Sequence, residues 1–181
     1  MPIYVALLRG INVGGKNKVA MPDLRSMFED LGHQGVVSHA QSGNIVFESP
    51  LDAPTKLAAG IERAMAGTFG LTVSVHLRTR RDLERVVARN PFITEGVDFT
   101  SLHVMFLADA PGKKAVGKLD ADRSRPDEFE VRGREIYLRY PNGSGRSKLT
   151  IDYFERSLGT SATARNWNTI TRVLQLMQER H

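Results

Sequence analysis

The stretch IYVALLRGINVGGKNK, residues 3–18, decides between two folds. Its apolar start reads as a strand that is apolar on both faces, and so central in a sheet. Gly10, four residues, Gly15 and Lys16 then nearly spell G-x-x-x-x-G-K-[ST], the phosphate-cradling loop of parallel nucleotide-binding folds. Asn17 stands where that loop needs a Ser or Thr hydroxyl for magnesium. A P-loop also needs a helix that begins at its Gly-Lys, with the helix N-terminus facing the phosphates. Here Pro22 reads as a first-turn proline, so the connection runs through Ala20 before any helix starts.

Working outward, the pattern turns antiparallel. A helix from Pro22 carries Leu24, Met27, Phe28 and Leu31 on one face, and Gly32 ends it. Strands at 36–41 and 44–48 flank the tight turn Ser42-Gly43. Pro54 starts a helix that reaches Phe69, with Leu57, Ile61, Ala64, Met65 and Phe69 at helical spacing. A strand follows at 71–77. The order is βαββαβ, the pattern of a ferredoxin-like unit. After a helix at 80–89 and the break Asn90-Pro91, the order recurs. A strand at 102–108, a helix at 110–119, a hairpin of 128–132 with 135–140 about Gly133, a helix at 149–158 and a short strand at 162–166 are expected. Asn168 or Thr169 is expected to cap a final helix with Val173, Leu174 and Met177 inward. The fold class is therefore α/β, of the α+β kind. It comprises two tandem ferredoxin-like subdomains, 1–90 and 91–181, with mainly antiparallel sheets and a C-terminal helix.

Composition agrees with a folded chain. The 181 residues are 41% hydrophobic, enough for a real core. No apolar run is long enough for a membrane helix, and the N-terminus lacks the basic start of a secretory signal. The chain has no cysteine, which excludes thiolate chemistry and fits a cytoplasmic setting. Four of the five excess positive charges lie beyond residue 100, where 14 basic side chains face 10 acidic ones. That invites an anionic partner, although a net charge of +5 is ordinary for solubility.

Four segments carry a resemblance. They are the run from Leu7 to Val19, Gln41-Ser42-Gly43-Asn44, Gly145-Arg146-Ser147-Lys148-Leu149, and Thr163-Ala164-Arg165-Asn166-Trp167-Asn168-Thr169. In order and spacing they resemble an uncharacterised bacterial family, domain of unknown function 1697, over nearly the whole chain. The resemblance implies an α/β fold of two ferredoxin-like subdomains, and no established activity, cofactor or catalytic residue. Ala20 departs from it, where Pro is expected.

The same segments hold the candidate ligand residues. In the first, Gly14 and Gly15 can aim backbone N–H groups at one point. Arg9, Lys16 and Lys18 supply charge, and Asn12, with Gly10 and Asn17, shapes the loop or bonds a ligand. In the second, Gln41, Ser42 and Asn44 read as a hairpin turn. Ser42 lacks the elbow motif and a placed histidine that a nucleophile needs. In the third, Arg146, Ser147 and Lys148 precede a helix, with Ser147 as candidate N-cap. They suit either an anion or a solvated helix start. In the fourth, Arg165, Asn166, Trp167 and Asn168 offer a base-stacking platform, or else Trp167 is a core anchor.

His33, His39, His76, His103 and His181 show no metal-ligand spacing, and no cofactor or metal is expected. Three functions stay open. The first is a binding protein for a phosphate-bearing small molecule or nucleic acid. The second is an enzyme on a small anionic or phosphorylated substrate, for which no general base is visible. The third is a structural or partner-binding protein.

Overall fold

The computed structural model describes residues Met1–Arg180; His181 lies outside them. It is a mixed α/β structure with, among the described residues, six α-helices and two four-stranded antiparallel sheets. Contacts divide the chain into two compact units. One is Met1–Arg85 together with the segment from Thr171 onward; the other is Val86–Ile170.

In the first unit, β1 (Ile3–Leu8) lies between β3 (Asn44–Glu48) and β4 (Val75–Thr79), with β2 (Gln34–His39) on the edge beside β3. Every neighbour is antiparallel, with Val5 opposite Val46 on one side and Arg78 on the other. The expectation of a central first strand is met: Tyr4 through Leu8 are all buried. Tyr4, Ala6 and Leu8 point to a core shared with Leu24 and Phe28 of α1 (Met21–Asp30) and with Leu57, Ile61 and Met65 of α2 (Pro54–Phe69). Phe47 anchors this core, with its ring centroid 5.2 Å from that of Phe28 and 5.7 Å from that of Tyr4. The opposite face of the sheet is buried as well, and carries Val5, Leu7, Val46, His76 and Arg78.

The second unit repeats the order. Here β5 (Leu102–Leu107) lies between β7 (Glu135–Arg139) and β8 (Ala162–Asn166), with β6 (Glu128–Arg132) on the edge. Met105, Leu107, Ile136 and Leu138 pack on Phe154 and Leu158 of α5 (Ile151–Leu158). Along the chain α3 (Arg80–Ala88) follows β4, and the later helix α4 (Lys113–Gly117) is only a turn and a half. Arg165 on β8 faces Val104 in the same register in which Arg78 on β4 faces Val5, and both arginines are buried.

Several expectations shift. Leu31 is 42% exposed, not on the buried face of α1, because it caps the helix rather than continuing it. β2 ends at His39, so Gln41 belongs to the turn Ala40–Gly43 and not to a strand. β4 begins at Val75, because residues 70–74 are spent on the left-handed turn at Gly70 after α2. Thr150, and not Ser147, caps α5: its hydroxyl accepts from the Tyr153 N–H at 3.2 Å. The final helix, α6 (Trp167–Gln178), is capped by neither Asn168 nor Thr169. The Asn166 side chain accepts from the Thr169 N–H at 2.8 Å. From Thr171 the chain groups with the first unit, whereas the pattern along the sequence places this helix with the second half. The Arg180 guanidinium bonds the Gly35 carbonyl and meets Glu48 at 3.2 Å.

Candidate anion site

The connection from β1 to α1 is a small hairpin, not a P-loop. The Lys16 N–H donates to the Val13 carbonyl at 3.0 Å, and the Asn12 N–H donates to the Asn17 carbonyl at 3.2 Å. Gly14 and Gly15 fill the two tip positions with φ of +60° and +74°. That is the double positive φ of a type I′ turn, which side chains resist and glycine accepts. The Lys16 N–H is thereby used to close the hairpin. The first helix starts only at Met21, and the sheet is antiparallel, so both structural requirements of a P-loop are missing.

The asparagines hold this hairpin to the body. The Asn12 Oδ1 accepts from the Val19 N–H at 2.8 Å, and its Nδ2 donates to the Val19 carbonyl at 3.0 Å and the Gln41 carbonyl at 2.7 Å. One side chain thereby imitates a strand neighbour for Val19 and ties the loop to the 40–43 turn. Asn17 donates to the Gly10 carbonyl at 3.0 Å. Ile11 and Val19 anchor the base of the loop in the core, at 0% and 5% exposure. Residues 13–18 are all exposed.

The second segment is the seat of the first. The Leu8 N–H donates to the Gly43 carbonyl at 3.0 Å. A Cβ on Gly43 would stand 3.1 Å from that of Leu8 and 3.4 Å from that of Ile11, at a φ of +82° that disfavours side chains. Asn44 is fully buried and donates to the His39 carbonyl at 2.8 Å and to the Ser42 hydroxyl at 3.1 Å. Ser42 is thus drawn into the turn as an acceptor from Asn44. Asn12, Gly15, Lys18, Val19, Ala20 and Gln41 line an open cleft of about 420 Å³. The structure brings the first two segments together here. Arg9, half-buried, enters at the end of β1 with its N–H on the Ser74 carbonyl at 3.0 Å.

The other two segments lie in the second unit. Ser147 accepts from the Leu149 N–H at 3.0 Å, and the Lys148 N–H donates to the Ser124 hydroxyl at the same distance. Ser124 donates to Asp127 at 2.9 Å, and Arg123 bonds the Lys148 carbonyl at 2.9 Å. The backbone around Ser147 is therefore knitted to residues 123–127, while the Arg146 and Lys148 side chains stay largely exposed. Arg165 is 7% exposed and donates to the Thr163 hydroxyl at 2.7 Å and the Ala164 carbonyl at 2.8 Å. Burial pulls its pKa down to about 10, so it remains charged at neutral pH. Trp167 is 5% exposed, which makes it a core anchor and removes it as an open stacking surface. Asn166 is the cap of α6, and Asn168 lies exposed in its first turn.

The backbone role of Asn12, the Gly14-Gly15 tip and a cleft in the second unit were not read from the sequence. The backbone role of Asn12 follows from a contact at Gln41, far along the chain. The Gly14-Gly15 tip was signalled, since Gly-Gly between strand-forming residues is a two-residue hairpin signature. The second unit also holds an open cleft of about 810 Å³ lined by Glu95, Asp98, Glu128, Glu130 and Arg139, gathered from distant positions. Arg139 already meets Glu128 at 2.6 Å, and Arg132 pairs with Glu130. Among the described residues no three His, Asp or Glu side chains gather as metal ligands.

A family model described as "Protein of unknown function (DUF1697)" matches residues 1–137. No curated protein matches the chain. Among solved structures, a conserved bacterial protein from Streptococcus pneumoniae is similar with a TM-score of 0.77. The match covers 98% of this chain and 99% of that one, at 24% identity, and at that level the likeness speaks for the fold alone.

Proposed function

The chain belongs to the DUF1697 family, which brings no activity with it, and from that premise we propose that it binds a phosphate-bearing ligand, a nucleotide or nucleic acid. The ligand sits in the cleft between the glycine hairpin and the 40–43 turn. The observation that carries this reading is the meeting of Lys18, Gly15 and Gln41 around one cleft of about 420 Å³, with Lys16 exposed beside it. No acidic side chain lies between residues 9 and 22 to offset Arg9, Lys16 and Lys18. Asn12 is a positioning residue, because its donors and acceptor are engaged by Val19 and Gln41. Charge comes from the lysines and direction from the Gln41 amide and the Gly14 and Gly15 backbone.

Calorimetric titration with ATP and with tripolyphosphate tests this at about 50 mM salt, where such contacts are strong. Lys18→Ala is expected to weaken binding several-fold without moving the unfolding midpoint. Binding unchanged by Lys16→Ala and Lys18→Ala would remove the reading.

We also read each unit as ferredoxin-like. The orders β2-β3-β1-β4 and β6-β7-β5-β8, with both helices of each repeat on one sheet face, support it. The cysteine-free composition supports a cytoplasmic setting.

A further inference from the structure

We propose that the glycine hairpin is an arm that enters the groove of duplex DNA, so that the ligand of the cleft is a double-stranded backbone. This rests on the reading that the cleft takes a phosphate-bearing partner, and goes on to name which one.

Three observations carry it. First, the hairpin stands clear of the protein. Residues 13–18 are exposed, Val13 just before the tip is 60% exposed, and a Cβ on Gly14 or Gly15 would meet nothing within 4 Å. Yet the arm is held firmly at its base by Asn12, Asn17 and the buried Ile11 and Val19. A projecting turn closed by the single bridge between Val13 and Lys16 is no wider than a paired ribbon, about 5 Å between backbones. It fits a B-form major groove about 12 Å wide, which is deep enough to admit a two-stranded ribbon.

Second, the arm is cationic and small at its end. Lys16 and Lys18 lie on the returning side of the turn behind a Gly-Gly tip, so backbone reaches the groove floor while ammonium groups meet the phosphates flanking it. Third, the site has no aromatic lining. Asn12, Gly15, Lys18, Val19, Ala20 and Gln41 give a splayed base nothing to stack on, and Trp167 is buried. Single-strand binders gain about 1–3 kcal/mol per base from such stacking. This cleft forgoes that gain, which favours a partner whose bases are already stacked in a duplex. The deep, narrow major groove of duplex RNA excludes the same turn.

The test is fluorescence anisotropy at about 50 mM and 200 mM salt with a labelled 20-base-pair DNA duplex, one of its strands alone, the RNA duplex of the same sequence, and ATP as competitor. The duplex DNA is expected to bind at least about tenfold more tightly than the single strand or the RNA. Lys16→Glu with Lys18→Glu is expected to abolish that preference and to reduce the salt slope by about 2. Val13→Glu, at an exposed position that tolerates the change, is expected to weaken duplex binding with the unfolding midpoint unchanged. Equal or tighter binding of the single strand, the RNA duplex or ATP overturns the inference and leaves the phosphate site standing. No binding of any of the four probes overturns both.

Discussion

The two units share one topology and differ most in their first strand-to-helix connection. In the second unit β5 reaches α4 through five residues, 108–112. In the first, β1 reaches α1 through twelve, 9–20. Both connections leave a central strand, and both must bring the chain back across the same face of a sheet. Five residues suffice for that path, so the extra length in the first unit is not demanded by the fold. What fills it is a glycine-tipped hairpin with two exposed lysines. The short connection is held by two bonds to the residues just before β8: the Ala108 N–H to the Ser161 carbonyl at 2.9 Å, and the Asp109 N–H to the Thr160 hydroxyl at 3.2 Å. The long one needs Asn12 to replace a missing strand. Length that is both surplus and rigidly supported is where a binding function is expected to reside.

The comparison can be broken first at the cores, where the two units should behave alike. Phe28→Ala and Phe154→Ala each remove a fully buried ring, and each is expected to cost about 3–5 kcal/mol in denaturant unfolding. A cost confined to one unit would mean that the two sheets do not depend on equivalent packing. Next come the connections. Asn12→Ala loses three bonds and is expected to cost about 1–3 kcal/mol, against less than about 1 kcal/mol for Thr160→Val. Equal costs would show that the long loop needs no special support. Smallest is a pH effect shared by both units. Burial holds His33, His39 and His103 below the usual imidazole range, with Arg172 adding to the effect at His39. Below about pH 6.5 the unfolded chain therefore binds more protons than the folded one. Stability is full above that pH and falls as acid is added through it. Thermal midpoints measured from pH 7 to pH 5 should decline, and His103→Phe should flatten part of the decline. A profile with no slope would contradict the burial of these rings.

Much of the fold was legible because its signals are local. Apolar runs in β1 and β5, Pro54 with the spacing through Met65, and Gly133 between alternating strands each specify an element from neighbouring residues. The boundaries that shifted depend on side chains competing for the same backbone groups. Thr150 and Asn166 win the caps over Ser147 and Asn168 through their position relative to the first free N–H groups. The final helix was found, but the unit it joins was not, because Val173 and Met177 set an inward face without naming a partner. At the site, the meeting of residues 12 and 41 is tertiary, and no spacing along the chain encodes it. The burial of Arg165 on β8, the edge strand beside β5, and of Trp167 at the start of α6 is likewise tertiary. Residues that look like a recognition motif in sequence are there used to build the sheet and start a helix.

The central claim is that the lysines of the long connection, and not the overall positive charge, take the anion. Two double variants separate these, Lys16→Ala with Lys18→Ala and Arg146→Ala with Lys148→Ala, since each removes two exposed charges and leaves the same net charge. Their affinities for tripolyphosphate, measured by calorimetry at one salt concentration, are the direct test. A loss of tenfold or more in the first variant, with the second close to the unaltered protein, is the predicted result. Equal losses in both, or a larger loss in the second, would contradict it.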